Sequence, residues 1–346
     1  MNTIDLVLYT RLPLGLGYVA GVTWRADDHV VVVCQHGVVL LDPQWRQCLA
    51  WTHPTDTRVS LGVAATSHHV LVPTQTGLVQ YPYSPSIQKL WFRYSSIHRV
   101  CPNQDSILAV MRREHGVLFC RLQDTADPDT PVLQFVRSCP VHYGAYLGAW
   151  SPDAPVFVYG NGTDIVLFAT PDRARARTWL DRKSPYQERP VPRTALTVGP
   201  RCQVAIGWMD GVSDIHEPAT ISFDTSVIVK RIERDTSLEG TAITSLAWPL
   251  EQLLVAGLAN GSLAWRNTSC PNWRMLQPHS GPIYVLESHL PYLVSGGLDG
   301  MLAVWGIDQQ KTPLTQQASG VADTAPSEYI TETRTHPVAM AAPAAV

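Results

Sequence analysis

Acid–base, nucleophilic or metal chemistry in this chain would fall to its histidines, cysteines, serines and aspartates. His29, His36, His68, His69, His115 and His142 supply imidazoles, but none stands in an H-x-x-x-H or comparable ligand spacing. A metal site needs several convergent ligands, so each reads as a satisfied or exposed histidine near a turn. The seven cysteines, Cys34, Cys48, Cys101, Cys120, Cys139, Cys202 and Cys270, include no C-x-x-C pair. They signal neither a zinc site nor a disulfide framework and read as buried thiols in a reducing compartment. No G-x-S-x-G nucleophile elbow occurs. The expectation is no catalytic residue, no metal, no cofactor and no enzyme.

Two other clusters invite a binding role. Gly15-Leu-Gly-Tyr-Val-Ala-Gly21 has the look of a dinucleotide-binding loop, which needs a helix N-terminus to meet the pyrophosphate. Strand-like sequence, Val22-Thr-Trp24 and Val30 to Val33, follows instead, so the loop reads as a flexible connector. The second cluster is basic: Arg173, Arg175, Arg177, Arg182, Lys183 and Arg189, with Trp179 and Tyr186 interleaved. Arginine forks and aromatic faces suit phosphates and bases or an acidic peptide, while charge runs also serve plain solubility. It is the candidate partner-binding loop. Tyr81, Tyr83, Trp91, Phe92 and Tyr94 form an aromatic group that reads as packing.

The elements that must position these residues are β-hairpins. Apolar runs meet at turns ending in glycine: His29–Cys34 turns at Gly37, Val70–Val72 at Gly77, Ile107–Val110 at Gly116, and Val156–Tyr159 at Gly162. Val204–Ile206 turns at Gly211, Leu253–Val255 at Gly261, and Tyr292–Val294 at Gly300. This is hairpin patterning, and the glycines recur about every 40 to 50 residues, the period of a four-stranded propeller blade. Gly21–Trp24, Gly148–Trp150, Ile243–Trp248 and Ile283–Leu286 read as inner strands lining a channel. Ile4–Leu12 is strand-like and is expected to supply the outermost strand of the last blade, since an unclosed ring exposes a sheet edge. The predicted architecture is an all-β, seven-bladed propeller over residues 1–308. The polar, aperiodic segment 309–346 is predicted to be a disordered tail.

Bulk composition fits. Apolar residues make 45% and charged residues 16% of the chain, low in charge against the roughly 25% of a typical domain, which suits a well-covered sheet protein. A net charge of −3 gives no global pull toward nucleic acid or acidic membranes. No secretory signal and no apolar run of membrane-spanning length are read, so the expected location is nuclear or cytoplasmic. Asn161-Gly-Thr163 and Asn260-Gly-Ser262 match the glycosylation pattern and read as hairpin turns.

The last repeat, Pro278-His-Ser-Gly-Pro-Ile-Tyr-Val-Leu286 and Leu293-Val-Ser-Gly-Gly-Leu-Asp-Gly-Met-Leu-Ala-Val-Trp305, resembles the signature of the WD-repeat (WD40-like) propeller family. By resemblance, His279, Ser295, Asp299 and Trp305 form a structural hydrogen-bonded tetrad. Pro278 and Gly306 depart from the pattern, standing where the family has glycine and aspartate. The sixth repeat, Leu254–Trp265, keeps the frame with Asn260 at the aspartate position and Trp265 at the tryptophan position. The resemblance implies a divergent, non-catalytic protein–protein interaction scaffold within a larger, nuclear assembly of the transcription-factor, nuclear-pore or ribosome-assembly kind. Its partners would be other protein subunits, with nucleic acid reached only through the Arg-rich loop and no membrane. The alternatives are an adaptor that recognises peptide at the channel mouth and, ranking last, a propeller enzyme.

Overall fold

Val, Ile and Leu at high density, broken by glycine turns, give strands almost exclusively. The computed structural model describes residues 3–54, 57–83, 89–92, 97–103, 105–112, 116–124, 133–139, 146–160, 166–169, 171, 177–179, 192–218, 229–268 and 272–310. Among these, 28 strands and one 3₁₀ turn, Pro200–Cys202, carry the regular structure. The strand β1 (Thr3–Pro13) precedes six sheets that each follow the chain. The first holds β2 (Val19–Trp24), β3 (Val30–Cys34), β4 (Gly37–Leu41) and β5 (Gln47–Thr52); the second β6 (Ala64–Ala65), β7 (His69–Thr74), β8 (Gly77–Pro82) and β9 (Lys89–Phe92). The third holds β10 (Ile97–Pro102), β11 (Ile107–Arg112), β12 (Gly116–Leu122) and β13 (Leu133–Cys139). The fourth holds β14 (Leu147–Trp150), β15 (Phe157–Gly160), β16 (Val166–Ala169) and β17 (Arg177–Trp179). The fifth holds β18 (Arg193–Val198), β19 (Val204–Trp208), β20 (Ser213–Pro218) and β21 (Val229–Asp235). The sixth holds β22 (Ile243–Leu250), β23 (Leu253–Leu258), β24 (Leu263–Asn267) and β25 (Arg274–Leu276). A seventh four-stranded sheet is made of β26 (Ile283–His289), β27 (Tyr292–Gly297), β28 (Met301–Gln310) and β1.

The first strands of successive sheets touch in a closed circuit, β2 to β6, β10, β14, β18, β22, β26 and back to β2. Hydroxyls latch neighbours together: Ser60 Oγ donates to the Ile97 carbonyl (2.7 Å), Thr244 Oγ1 and Ser245 Oγ to that of Ile283 (2.6 and 2.8 Å). The second and third strands are covered on both faces, so β3 and β4 are buried throughout. That is why they read as unbroken apolar runs and not as alternation. Apolar clusters fill the seams between adjacent sheets, as where Val22, Val32 and Val39 meet Val285, Val294 and Val304. The result is an all-β propeller.

β1 pairs antiparallel with β28 from Thr3↔Gln310 to Pro13↔Met301, with a register shift between Leu8 and Thr10. Ile4 and Leu6 enter the seam with Trp265 and Trp305. The last strand thus runs two residues past the boundary expected at 308. Gln309 and Gln310 are polar but find Ile4 and Thr3 across the ladder, and pairing overrides composition. The rest of the tail, 311–346, lies outside the described residues. Of the segment 15–21, Val19 to Gly21 open β2 instead of forming a connector, and the residues before them are strapped to hairpin turns: Leu14 N–H donates to the Gly300 carbonyl, and His36 N–H to that of Leu16 (2.9 Å).

Candidate functional site

In the seventh sheet a chain of polar groups runs through apolar surroundings. His279 Nδ1 lies 3.0 Å from Asp299 Oδ1, His279 Nε2 lies 2.9 Å from Ser295 Oγ, and Trp305 Nε1–H donates to that Oγ at 3.0 Å. A proton on Nδ1 lets every group match: the imidazole donates to the carboxylate and accepts from the serine hydroxyl, which accepts from the indole. Burial holds the His279 pKa below 6.5 against the opposing pull of Asp299, so the ring is neutral. Burial alone would raise Asp299, yet the Ser280 N–H, His279 and the Met301 N–H hold its carboxyl below the usual range. Gly297 makes room for this, since a Cβ there would sit 2.8 Å from both His279 Nδ1 and Asp299 Oδ1.

Serine, histidine and aspartate in a row have the order of a hydrolytic triad. Here, however, Ser295 is 0% and His279 2% exposed, and the hydroxyl oxygen also accepts the Trp305 indole N–H. The arrangement ties the turn before β26 to β27 and β28.

The sixth sheet is built differently from its sequence reading. Leu293 pairs with Trp305 in the seventh sheet, and the equivalent Leu254 pairs with Arg266 in the sixth. The tryptophan position is therefore occupied by Arg266. Trp265 falls one residue short, which turns it to the opposite face, where its Nε1–H donates to Asp5 Oδ1 (2.9 Å). Arg274 pairs with the same carboxylate. Arg266 is 2% exposed. It pairs with Glu233 and, at 3.6 Å, with Asp235 of β21, and its guanidinium lies 5.1 Å from the Trp273 ring centre. Trp273 Nε1–H donates to Asp235 Oδ2 at 2.6 Å. Burial opposes the Asp235 charge, but Ser237, Trp273 and Arg266 together hold its pKa low. A one-residue difference in spacing from the turn glycine is the sequence signal: Trp305 lies five residues after Gly300, Trp265 only four after Gly261, and five after Gly261 comes Arg266.

The histidines scatter among separate contacts. His29 Nδ1 lies 3.3 Å from an Asp27 oxygen, and the His68 and His69 rings meet edge-on at 6.4 Å. His53, passed over in the sequence, is buried between the Tyr81 hydroxyl (2.7 Å) and the Cys34 carbonyl (3.2 Å). His115 and His142 lie outside the described residues. Among the described residues no three His, Cys, Asp or Glu side chains gather as a ligand set. Cys34, Cys120, Cys139 and Cys202 are buried and Cys101 partly so, while Cys48 is exposed on β5, which corrects its reading as a core thiol. Burial pushes the Cys34 thiol up to about 12 and those of Cys101 and Cys120 up to about 11.

Of the basic cluster, Arg177 to Trp179 forms β17, paired to β16. Arg173, Arg175, Arg182, Lys183, Tyr186 and Arg189 lie outside the described residues, as does Tyr94. Tyr81 is buried, while Trp91 and Phe92 belong to β9.

Exposed apolar side chains are ordered by strand. Val7, Tyr9, Leu49, Phe135, Ile232, Met275 and Leu276 all stand on outermost strands, β1, β5, β13, β21 and β25; Met209, Leu290 and Leu298 stand on turns. Toward the start of the innermost strands two edge-to-face pairs occur, Tyr18 with Tyr284 (6.4 Å, 80°) and His98 with Tyr146 (5.2 Å, 84°).

No protein-family model and no curated protein matches the sequence. Solved structures do. A chain of the crystal structure of the mitotic checkpoint complex superposes with a TM-score of 0.66 at 14% identity, over 88% of this chain and 93% of that one. The computationally designed Ika8 protein superposes with a TM-score of 0.56 at 15% identity, over 84% of this chain and 97% of that one. At such identities the likeness concerns the fold alone, and it agrees with the ring of four-stranded sheets: the fold is a β-propeller.

Proposed function

We propose that this seven-bladed, WD40-like propeller is a non-catalytic protein–protein interaction scaffold, a subunit of a larger intracellular assembly of nuclear type. The observation that carries the reading is the concentration of exposed apolar side chains on the outermost strands. Large apolar groups on a rim, where the ring itself has no use for them, mark surfaces that partners cover. Two further points favour it. The serine, histidine and aspartate that resemble a triad are consumed in holding a blade together, and a structural neighbour comes from a multiprotein complex. The Arg-rich loop from Arg173 to Arg189 is the candidate additional contact, to protein or nucleic acid.

A second reading, a peptide-recognising adaptor, draws on the aromatic pairs Tyr18–Tyr284 and His98–Tyr146 near the ends of the inner strands. Affinity purification of the tagged full chain at near-physiological salt, with and without nuclease, separates the readings. A constant set of co-purifying subunits supports the scaffold. Their loss when Arg173, Arg175 and Arg177 are all replaced by alanine would place the contact on the loop. A lone monomer in every condition would overturn the scaffold reading.

A further inference from the structure

Resting on the scaffold reading, we propose that the junction of the seventh and first sheets carries a docking notch for a partner segment that presents an aliphatic side chain flanked by arginine or lysine. Val7 and Tyr292 both pair with Gly306, so the three form one cross-strand row. Side chains in such a row stand on one face, and the middle position has none. A Cβ built on Gly306 would meet nothing nearer than the Val7 carbonyl oxygen at 3.9 Å. The row is thus walled by Val7 and Tyr292 and open in the middle.

Aromatic rings stand at its Tyr292 side. Tyr9, set out of the ladder by the register shift in β1, meets Tyr292 edge-on at 6.4 Å, and the buried Trp45 backs Tyr292 at 5.4 Å. The turn before Tyr292 is tied to β28, the Pro291 carbonyl accepting the Ile307 N–H at 2.9 Å, and carries the exposed Leu290. Val7, Tyr9 and Leu290 are 56, 67 and 54% exposed. A gap in the row at Gly306, between Val7 and the paired tyrosine rings, suits an inserted aliphatic side chain.

Charge selects what flanks that side chain. Beside the notch, His289 stacks on Trp24 at 5.5 Å and lies 3.6 Å from Asp28, whose side chain is 72% exposed. The neighbouring cations are already engaged. Arg25 holds Asp27 (3.0 Å), the Ser67 carbonyl and the Tyr83 ring face, and Arg46 holds Asp42 and Gln44. With Arg25 and Arg46 held elsewhere, the largely exposed Asp28 carboxylate keeps an outward side beyond the His289 ring, and a cationic residue complements it.

The test is selection of a displayed random peptide library against the full chain, with Gly306→Val as the counter-target. Space at position 306 is open, so the valine variant should fold, and thermal unfolding checks that it does. Recovered peptides should pair an aliphatic residue with Arg or Lys, bind the valine variant about tenfold more weakly, and bind Asp28→Asn with a shallower dependence on salt. Equal binding to wild type and Gly306→Val, recovery of acidic peptides, or an empty selection would overturn the notch. Co-purification keeps the two readings apart. Subunits that stay with Gly306→Val when the selection fails leave the scaffold standing without the notch, and a bare monomer from wild type overturns both.

Discussion

At the residue scale, one hydroxyl decides how the seventh sheet holds its polar groups. Ser295 is both donor to His279 and acceptor from Trp305, so Ser295→Ala strands a ring nitrogen and an indole N–H in a dry seam. The expected loss is about 1 to 3 kcal/mol, read from urea unfolding; an unchanged midpoint would mean that the network contributes nothing. The same ring sets a pH dependence. His279 is depressed below 6.5 in the folded protein, as are His53 and His69. The unfolded chain therefore binds more protons, and stability supplied by the neutral rings is present above 6.5 and is lost as pH falls through 6.5 toward the lower folded values. Unfolding midpoints should drop between about pH 7 and about pH 5, and His279→Gln should make that drop shallower. An identical slope in the variant would assign the dependence elsewhere.

At the scale of elements, a shift of one residue in β24 exchanges a tryptophan for an arginine in a buried seam. The exchange is possible because β21 brings Glu233 and Asp235 to the same place. Removing only the cation leaves two carboxylates against apolar surroundings, so Arg266→Ala should cost about 3 to 5 kcal/mol. Denaturant unfolding of the single variant measures this, and a loss below about 1 kcal/mol would show that water already reaches the network. The seam also explains why β25, only three residues long and exposed throughout, keeps its place: Arg274 is tied to Asp5 of β1.

At the scale of the whole molecule, β1 closes the ring by giving β28 its outer neighbour. Without residues 3–13, β28 would present a bare edge ten residues long, a template for pairing with another copy. Deleting this strand should convert a monomer into aggregates or higher oligomers, followed by size-exclusion chromatography with light scattering. A monodisperse truncated monomer would show that closure is held by the seams between sheets alone.

The residues by themselves determined the hairpins, the inner strands such as Ile283–Leu286 and the strand Ile4–Leu12 that meets β28. These follow from local apolar periodicity and turn chemistry, which each segment carries within itself. The groups of the last repeat, His279, Ser295, Asp299 and Trp305, are named through resemblance, and the fold links them in a chain of three hydrogen bonds, Asp299 to His279 to Ser295 to Trp305. Tertiary structure alone decided the rest. His53 finds Tyr81 from another sheet, Asp5 finds Trp265 some 260 residues away, and the Arg266 charge meets its carboxylates on the neighbouring sheet. Likewise Gly306 is a gap only because Val7 and Tyr292 are brought to either side of it. Such contacts depend on which faces meet across a seam, and in a strand a single residue of register reverses the face.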